Sequence, residues 1–262
     1  MLQFPEIKPY IFKIGPIQLR WYGLMYLVGF VSSYFLVKKQ VAKRNLDIGR
    51  EQLESLYFHM ILGLIIGARL GYVLFYNFSH YLSNPLDIIA VWHGGMSFHG
   101  GLIGTAIGWI IFSKRKRIPL LQIGDLVTVT APIGLFCGRM GNFINGELYG
   151  RVTDVPWAMI FPGGGDMPRH PSQLYEAFFE GPVLFAILWI MKDKVKNDGV
   201  IVGLFLILYG IIRFIIEFFR EPDPQVGLVF GSFSMGQMLS GSMIVAGVVL
   251  LGIIRSRRED HR

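Results

Sequence analysis

A single cysteine, Cys137, occurs in the 262 residues. That excludes a disulfide framework and a multi-cysteine metal site. Charge is scarce as well: 16% of residues are charged, where soluble domains carry about 25%. This shortage argues against a soluble globular domain, and a hydrophobic share of 52% excludes a disordered chain. Gly-x-Ser-x-Gly and His-Glu-x-x-His are both absent, which removes the usual serine-hydrolase and zinc-protease motifs. Internal repeats and low-complexity linkers are absent too. Residues 1–20 contain no apolar core of signal-peptide length, because Glu6, Lys8, Lys13 and three prolines interrupt them. They read as an outer amphipathic stretch at the interface, with Phe4, Ile7, Tyr10, Ile11 and Ile14 dipping into lipid.

What the chain does have is long apolar runs. A bilayer core of about 30 Å needs about 20 apolar residues per helix. Seven segments qualify or come close, at about 21–37, 56–75, 96–112, 120–144, 178–191, 200–219 and 235–254. The fifth is short and begins earlier or is partly re-entrant. The expectation is an all-α membrane protein, a polytopic bundle of seven transmembrane helices forming one integral membrane domain over residues 1–262.

Orientation follows from lysine and arginine. Lys38, Lys39, Lys43, Arg44 and Arg50 follow the first span, and Lys114, Arg115, Lys116 and Arg117 the third. Lys192, Lys194 and Lys196 follow the fifth, and Arg255, Arg257, Arg258 and Arg262 the seventh. The opposite face holds only Lys8, Lys13, Arg20, Arg151, Arg169 and Arg220. The N-terminus is therefore expected outside, in the periplasm, and the C-terminus in the cytoplasm. Loops at about 76–95 and 147–177 face outward. The formal charge of +7 is chiefly a topological signal, and no nucleic-acid partner is expected.

An ionised side chain in hydrocarbon is costly, so intramembrane charges are functional candidates. Arg69, Asp125, Arg139, Glu147, Glu176, Arg213 and Glu217 qualify. Asp125 reads as a helix-start charge that satisfies free amides. Arg69 reads equally as a structural ion-pair partner or a substrate contact. Arg139 and Asn142 share a helical face beside Gly134, Gly138 and Gly141, whose lack of side chains suits close packing. Tyr209, Arg213, Glu217 and Arg220 follow one stripe at steps of four and three. An internal Arg213–Glu217 pair would neutralise itself. Two arginines at similar depth also suit a two-pronged anion site, since a guanidinium fork matches phosphate. His93 and His99 flank a glycine-rich stretch, yet no carboxylate or cysteine joins them at ligand spacing, so no metal is expected. His93 reads as interfacial. His99 is either a base for an incoming nucleophile or a hydrogen-bonded helix-start residue. Arg169 to Glu176 reads as a helix start, with His170 a candidate headgroup contact. Cys137 reads as packing.

Five blocks together resemble the bacterial prolipoprotein diacylglyceryl transferases. They are Trp21-Tyr22-Gly23, residues 93–101 (HGGMSFHGG), 138–147 (GRMGNFINGE), 170–176 (HPSQLYE) and 213–223. They come in the family's order and span nearly the whole chain. The resemblance implies transfer of the diacylglyceryl group of phosphatidylglycerol to the thiol of a lipobox cysteine in a prolipoprotein signal sequence. It also implies seven helices in the bacterial inner membrane, with no cofactor. Under it, Arg139 and Arg213 stabilise the departing phosphate and His99 takes the thiol proton. Asn142 and Glu147 fix headgroup hydroxyls, Glu217 holds Arg213, and Tyr22 orients His99 or the lipid. Tyr209 joins the lipid-binding set. The site is expected towards the outer leaflet. The alternative is a lipid transporter or scramblase without chemistry; such proteins often carry repeat symmetry, which is absent here. A seven-span receptor would not explain the gathered arginines.

Overall fold

The computed structural model describes residues 2–5, 7–14, 17–91, 94–221, 228–229 and 233–259. His93 of the sequence reading therefore lies outside the described residues. The chain divides into two compact units, Met1–Val37 with Gly124–Arg262, and Lys38–Ile123.

In chain order the elements begin with three strands, β1 (Leu2–Gln3), β2 (Tyr10–Ile14) and β3 (Ile17–Arg20). Helices α1 (Trp21–Lys43), α2 (Arg50–Phe75) and α3 (Phe78–Ser83) follow, then a 3-10 turn at Pro85–Ile89. Next come α4 (Phe98–Lys116), α5 (Leu120–Thr128), α6 (Ala131–Ile144) and β4 (Met159–Ile160). Helix α7 (Ser172–Phe178) runs through a π turn at Phe179–Val183 into α8 (Leu184–Met191). Then come α9 (Val200–Ile216), β5 (Leu228–Val229), β6 (Phe233–Ser234) and α10 (Met235–Glu259). The expected amphipathic stretch at the N-terminus is a hairpin: β2 pairs antiparallel with β3, Lys13 opposite Gln18.

The protein is a mostly helical membrane protein. Among the described residues three helices are long and apolar enough to cross a membrane: Arg50–Phe75, Ser172–Met191 and Met235–Arg257. The bent pair α5 and α6 makes a fourth if it counts as one span. The other expected spans are helical but weaker. Helix α1 contains tyrosines at 22, 26 and 34, α4 is rich in glycine, and α9 has 17 residues. At 1.5 Å per residue α9 covers only about 25 Å.

Glycine organises the second unit. Gly63, Gly67 and Gly71 of α2 face Gly100, Gly104 and Gly108 of α4 at steps of four. A Cβ on Gly71 would sit 2.8 Å from Gly100 Cα, and one on Gly67 would sit 2.7 Å from Gly104 Cα. The two backbones touch, as close membrane helices do when small residues line the seam. Ser97 caps α4 by accepting from Gly100 N at 3.2 Å.

In the first unit the expected span at 120–144 is broken, with α5 and α6 meeting at 46°. Pro132 stands in the first turn of α6, where its missing N–H costs nothing but ends the preceding ladder. Thr130 at the break donates to Val127 O at 2.7 Å and shares a 2.6 Å hydroxyl contact with Ser33. Asp125 is buried and does cap amides, those at the start of α9. Gly199 N and Val202 N donate to its two carboxylate oxygens at 2.9 and 3.0 Å. Val129, Leu184, Leu188 and Ile201 form the apolar core beside this cap, with Phe205, Leu208 and Tyr209 packed on it.

The glycine seam generates a prediction. A Cβ on Gly104 would lie 2.9 Å from Gly67 Cα, so Gly104→Ala overpacks the seam and costs about 1–3 kcal/mol. Gly252 of α10 faces open space, so Gly252→Ala is neutral or gains up to about 1 kcal/mol. Thermal unfolding of both variants in detergent checks the contrast; equal midpoints would refute the close seam.

Candidate active site

The first unit gathers its charges on three helices. Arg139 stands on α6, Glu176 on α7, Glu180 in the π turn, and Arg213 and Glu217 at the end of α9. Glu176 lies between the arginines. Its Oε2 is 2.8 Å from Arg139 Nε, and its Oε1 accepts from Arg213 Nη1 at 2.6 Å. Glu180 Oε2 accepts from Arg139 Nε at 3.3 Å, and its Oε1 is 4.0 Å from Arg213 Nη1. Glu217 pairs with Arg213 Nη2 at 2.8 Å. Glu176 and Glu180 are 0% exposed and Arg213 is 7% exposed. Charges so buried are tolerated only when paired, and here three carboxylates share two guanidiniums.

Local structure explains the placement. Glu176 and Glu180 are four residues apart on one helical face. Gly181, with φ −93° and ψ −108°, and Pro182 interrupt the helix immediately after Glu180. A Cβ on Gly181 would sit 2.7 Å from Phe136 Cβ, so glycine there lets this turn approach α6, the helix of Arg139. On the far side, Ser234 Oγ donates to Glu217 Oε1 at 3.0 Å. A Cβ on Gly236 would lie 2.6 Å from the Glu217 carboxyl carbon. Ser234 and Gln237 also cap α10 reciprocally: Gln237 N donates to Ser234 Oγ at 3.1 Å, and Ser234 N to Gln237 Oε1 at 3.0 Å.

A second polar group adjoins the cluster. Asn142 Nδ2 donates to Glu147 Oε1 at 2.9 Å, and Asn145 Nδ2 to the same oxygen at 3.2 Å. The Glu147 backbone is fixed from α7, where Gln173 Nε2 donates to its carbonyl at 2.8 Å. Ser172 Oγ donates to the Leu148 carbonyl at 3.2 Å. Tyr22 packs on Gly141, where a Cβ would lie 2.7 Å from its ring, and stands within Coulombic reach of Glu147 and Arg139. Tyr209 lies within the same reach of Glu180, Arg139, Arg213 and Glu176.

Of the residues expected from sequence, the structure brings together Tyr22, Arg139, Asn142, Glu147, Tyr209, Arg213 and Glu217. His99 belongs to the other unit, exposed in the first turn of α4 with its ring 5.7 Å from that of Phe98. His170 is held by neighbours in its own unit: its Nδ1 lies 3.1 Å from Tyr175 Oη, which accepts from Trp157 Nε1 at 2.6 Å. Partial burial pushes the His170 imidazole below its usual range, which favours the neutral form. The main role given to Glu176, a helix-start charge, is corrected: it bridges both arginines. Glu180, Ser234 and Gly236 went unread in the sequence. Glu180 was signalled by its i+4 relation to Glu176, and Ser234 by the Ser-x-x-Gln spacing before an apolar run.

Arg139 still has donors for an anion. Arg139 approaches both carboxylates through Nε, and its two terminal nitrogens make no hydrogen bond among the described residues. A guanidinium so disposed offers a planar pair of donors to a phosphate.

Apolar helices enclosing a paired cluster of arginine and glutamate define an integral membrane protein with an intramembrane polar site. The family model described as prolipoprotein diacylglyceryl transferase matches residues 9–253, and the chain belongs to that transferase family. A phosphatidylglycerol–prolipoprotein diacylglyceryl transferase of Geobacter sulfurreducens is 51% identical over 98% of this chain and 99% of its own length. That of Pseudoalteromonas translucida is 53% identical over 95% and 94%.

Removing one member of a buried pair strands the others. Glu176→Ala should lose about 3–5 kcal/mol, and Ser234→Ala about 1.5–3 kcal/mol. Denaturant titration in micelles reads both. Wild-type stability in Glu176→Ala would show that the carboxylate does not balance the arginines.

Proposed function

We propose that this chain transfers the diacylglyceryl group of phosphatidylglycerol to the thiol of a prolipoprotein's lipobox cysteine. The sulfur attacks the glycerol carbon that carries the phosphoryl oxygen. A C–S bond forms, the C–O bond breaks, and glycerol phosphate leaves; the thiol proton passes to the base. The product is a thioether. The observation that carries the reading is the Arg139–Glu176–Arg213 bridge: two guanidiniums at one buried site, matched to an anion.

Charge grows on the phosphate as the C–O bond breaks. Arg139 and Arg213 stabilise that charge more strongly in the transition state than in the ground state. The phosphate takes the terminal nitrogens of Arg139 while Glu176 and Glu180 hold its Nε, so binding leaves the carboxylate bridge in place. Asn142 and Glu147 receive the headgroup hydroxyls, Tyr22 and Tyr209 flank the lipid, and Glu217 keeps Arg213 in place. His99 takes the thiol proton, because thiolate is the nucleophile. The chain works as one integral membrane domain of seven spans in the bacterial inner membrane. Its N-terminus is periplasmic, its C-terminus cytoplasmic, and its site faces the outer leaflet.

The test mixes purified protein, phosphatidylglycerol and a lipobox peptide, and follows peptide mass and glycerol phosphate. One added diacylglyceryl unit per glycerol phosphate is expected. Lipid movement without either product would turn the reading to a transporter or scramblase. Arg139→Ala and Arg213→Ala should abolish transfer in folded protein. Arg213→Lys keeps the charge but loses the fork, so partial loss is expected. His99→Gln keeps hydrogen bonding and removes basicity; full activity across pH in that variant would refute the base.

A further inference from the structure

Arg69 is an intramembrane arginine outside the charge cluster, in the second unit. It is 5% exposed, and its contacts are neither carboxylates nor open space. Its Nε donates to Ile88 O at 2.8 Å, and Nη1 donates to Gly94 O at 2.6 Å and Gly95 O at 3.0 Å. Nη2 donates to Ala90 O at 3.3 Å and also to Asp87 O. The guanidinium lies 5.1 Å from the centre of the Tyr81 ring. All of its nitrogens are thus spent on carbonyls of the segment that leads into α4.

That segment is held in an uncommon shape. Gly94 and Gly95 have φ of +85° and +74°, the left-handed region that glycine tolerates. Two residues later Ser97 N donates to Ala68 O at 2.9 Å, beside Arg69 on α2. Ser97 caps α4, and His99 is in its first turn. The backbone before His99 is therefore fastened to one turn of α2 by an arginine fork, a backbone hydrogen bond and the glycine seam at Gly71 and Gly100.

We propose that Arg69 is a positioning residue for the transfer reaction: it gathers the carbonyls of Asp87, Ile88, Ala90, Gly94 and Gly95 around its guanidinium and thereby sets the place of His99. The proposal rests on His99 being the base. Lysine cannot replace Arg69, since an ammonium has no planar fork to reach five carbonyls. Gly95 is part of the same device. A Cβ there would lie 2.6 Å from the Tyr72 ring at a positive φ, so Gly95→Ala moves the segment with the arginine intact.

The experiment is a double-mutant cycle on the full-length protein in detergent or vesicles. Arg69→Gln and Arg69→Lys should each lower kcat about tenfold or more with little change in KM for phosphatidylglycerol, as small displacements of a reacting group do. They should also speed hydrogen exchange at residues 94–101. In the His99→Gln background Arg69→Gln should cost less than about twofold further, because coupled sites do not add. Gly95→Ala should show the same non-additivity, and it serves if the Arg69 variants do not fold. A slow His99→Gln variant in which both substitutions cost their full factor again would overturn the role of Arg69 and leave the base standing. A fully active His99→Gln variant would overturn both.

Discussion

The Glu176 carboxylate between two guanidiniums is the interaction on which the first unit depends. A fully buried anion shared by Arg139 and Arg213 ties α6, α7 and α9 together at one point. Each arginine has a further carboxylate beside it, Glu180 for Arg139 and Glu217 for Arg213, but only Glu176 joins the two at under 3 Å. The surrounding irregularities serve that point. The interruption at Gly181 and Pro182 brings the chain carrying Glu180 against α6. Gly236 leaves room for the Glu217 carboxylate, and Ser234 satisfies one of its oxygens. The cluster contains three carboxylates and two guanidiniums. An incoming phosphate meets the terminal nitrogens of a guanidinium whose Nε is already held by carboxylates.

Much of this was legible in the sequence. Each apolar run does fall on helix, because a membrane span needs about 20 apolar residues, but α1, α2 and the α7–α8 run each reach about six residues beyond the expected limits into polar sequence. Arg139, Asn142, Arg213, Glu217 and Tyr209 could be grouped because each pairing lies within one helix at three- or four-residue spacing. What escaped depends on contacts between helices. Asp125 was recognised as a capping carboxylate, but which helix it caps is a matter of packing. Glu176 was placed at a helix start by its local context, and nothing local reveals an arginine on each side. Pro132 was present in the predicted span, but an apolar run does not show where a helix bends.

Chain spacing leaves the role of an intramembrane arginine open, and partner chemistry decides it. Arg139 and Arg213 are compensated by carboxylates. Arg139 still has its terminal nitrogens for a phosphate while its Nε faces the carboxylates, so such an arginine suits a substrate that arrives and departs. Arg69 is compensated by neutral carbonyls that are themselves part of the backbone it orders. An anion bound there would have to break the loop that holds it. The same residue type thus serves two ends: open to a further anion where its partners are acids, and fixed where its partners are peptide groups. For the fixed kind, the consequence lies in whatever the ordered backbone carries next, and here that is the first turn of α4.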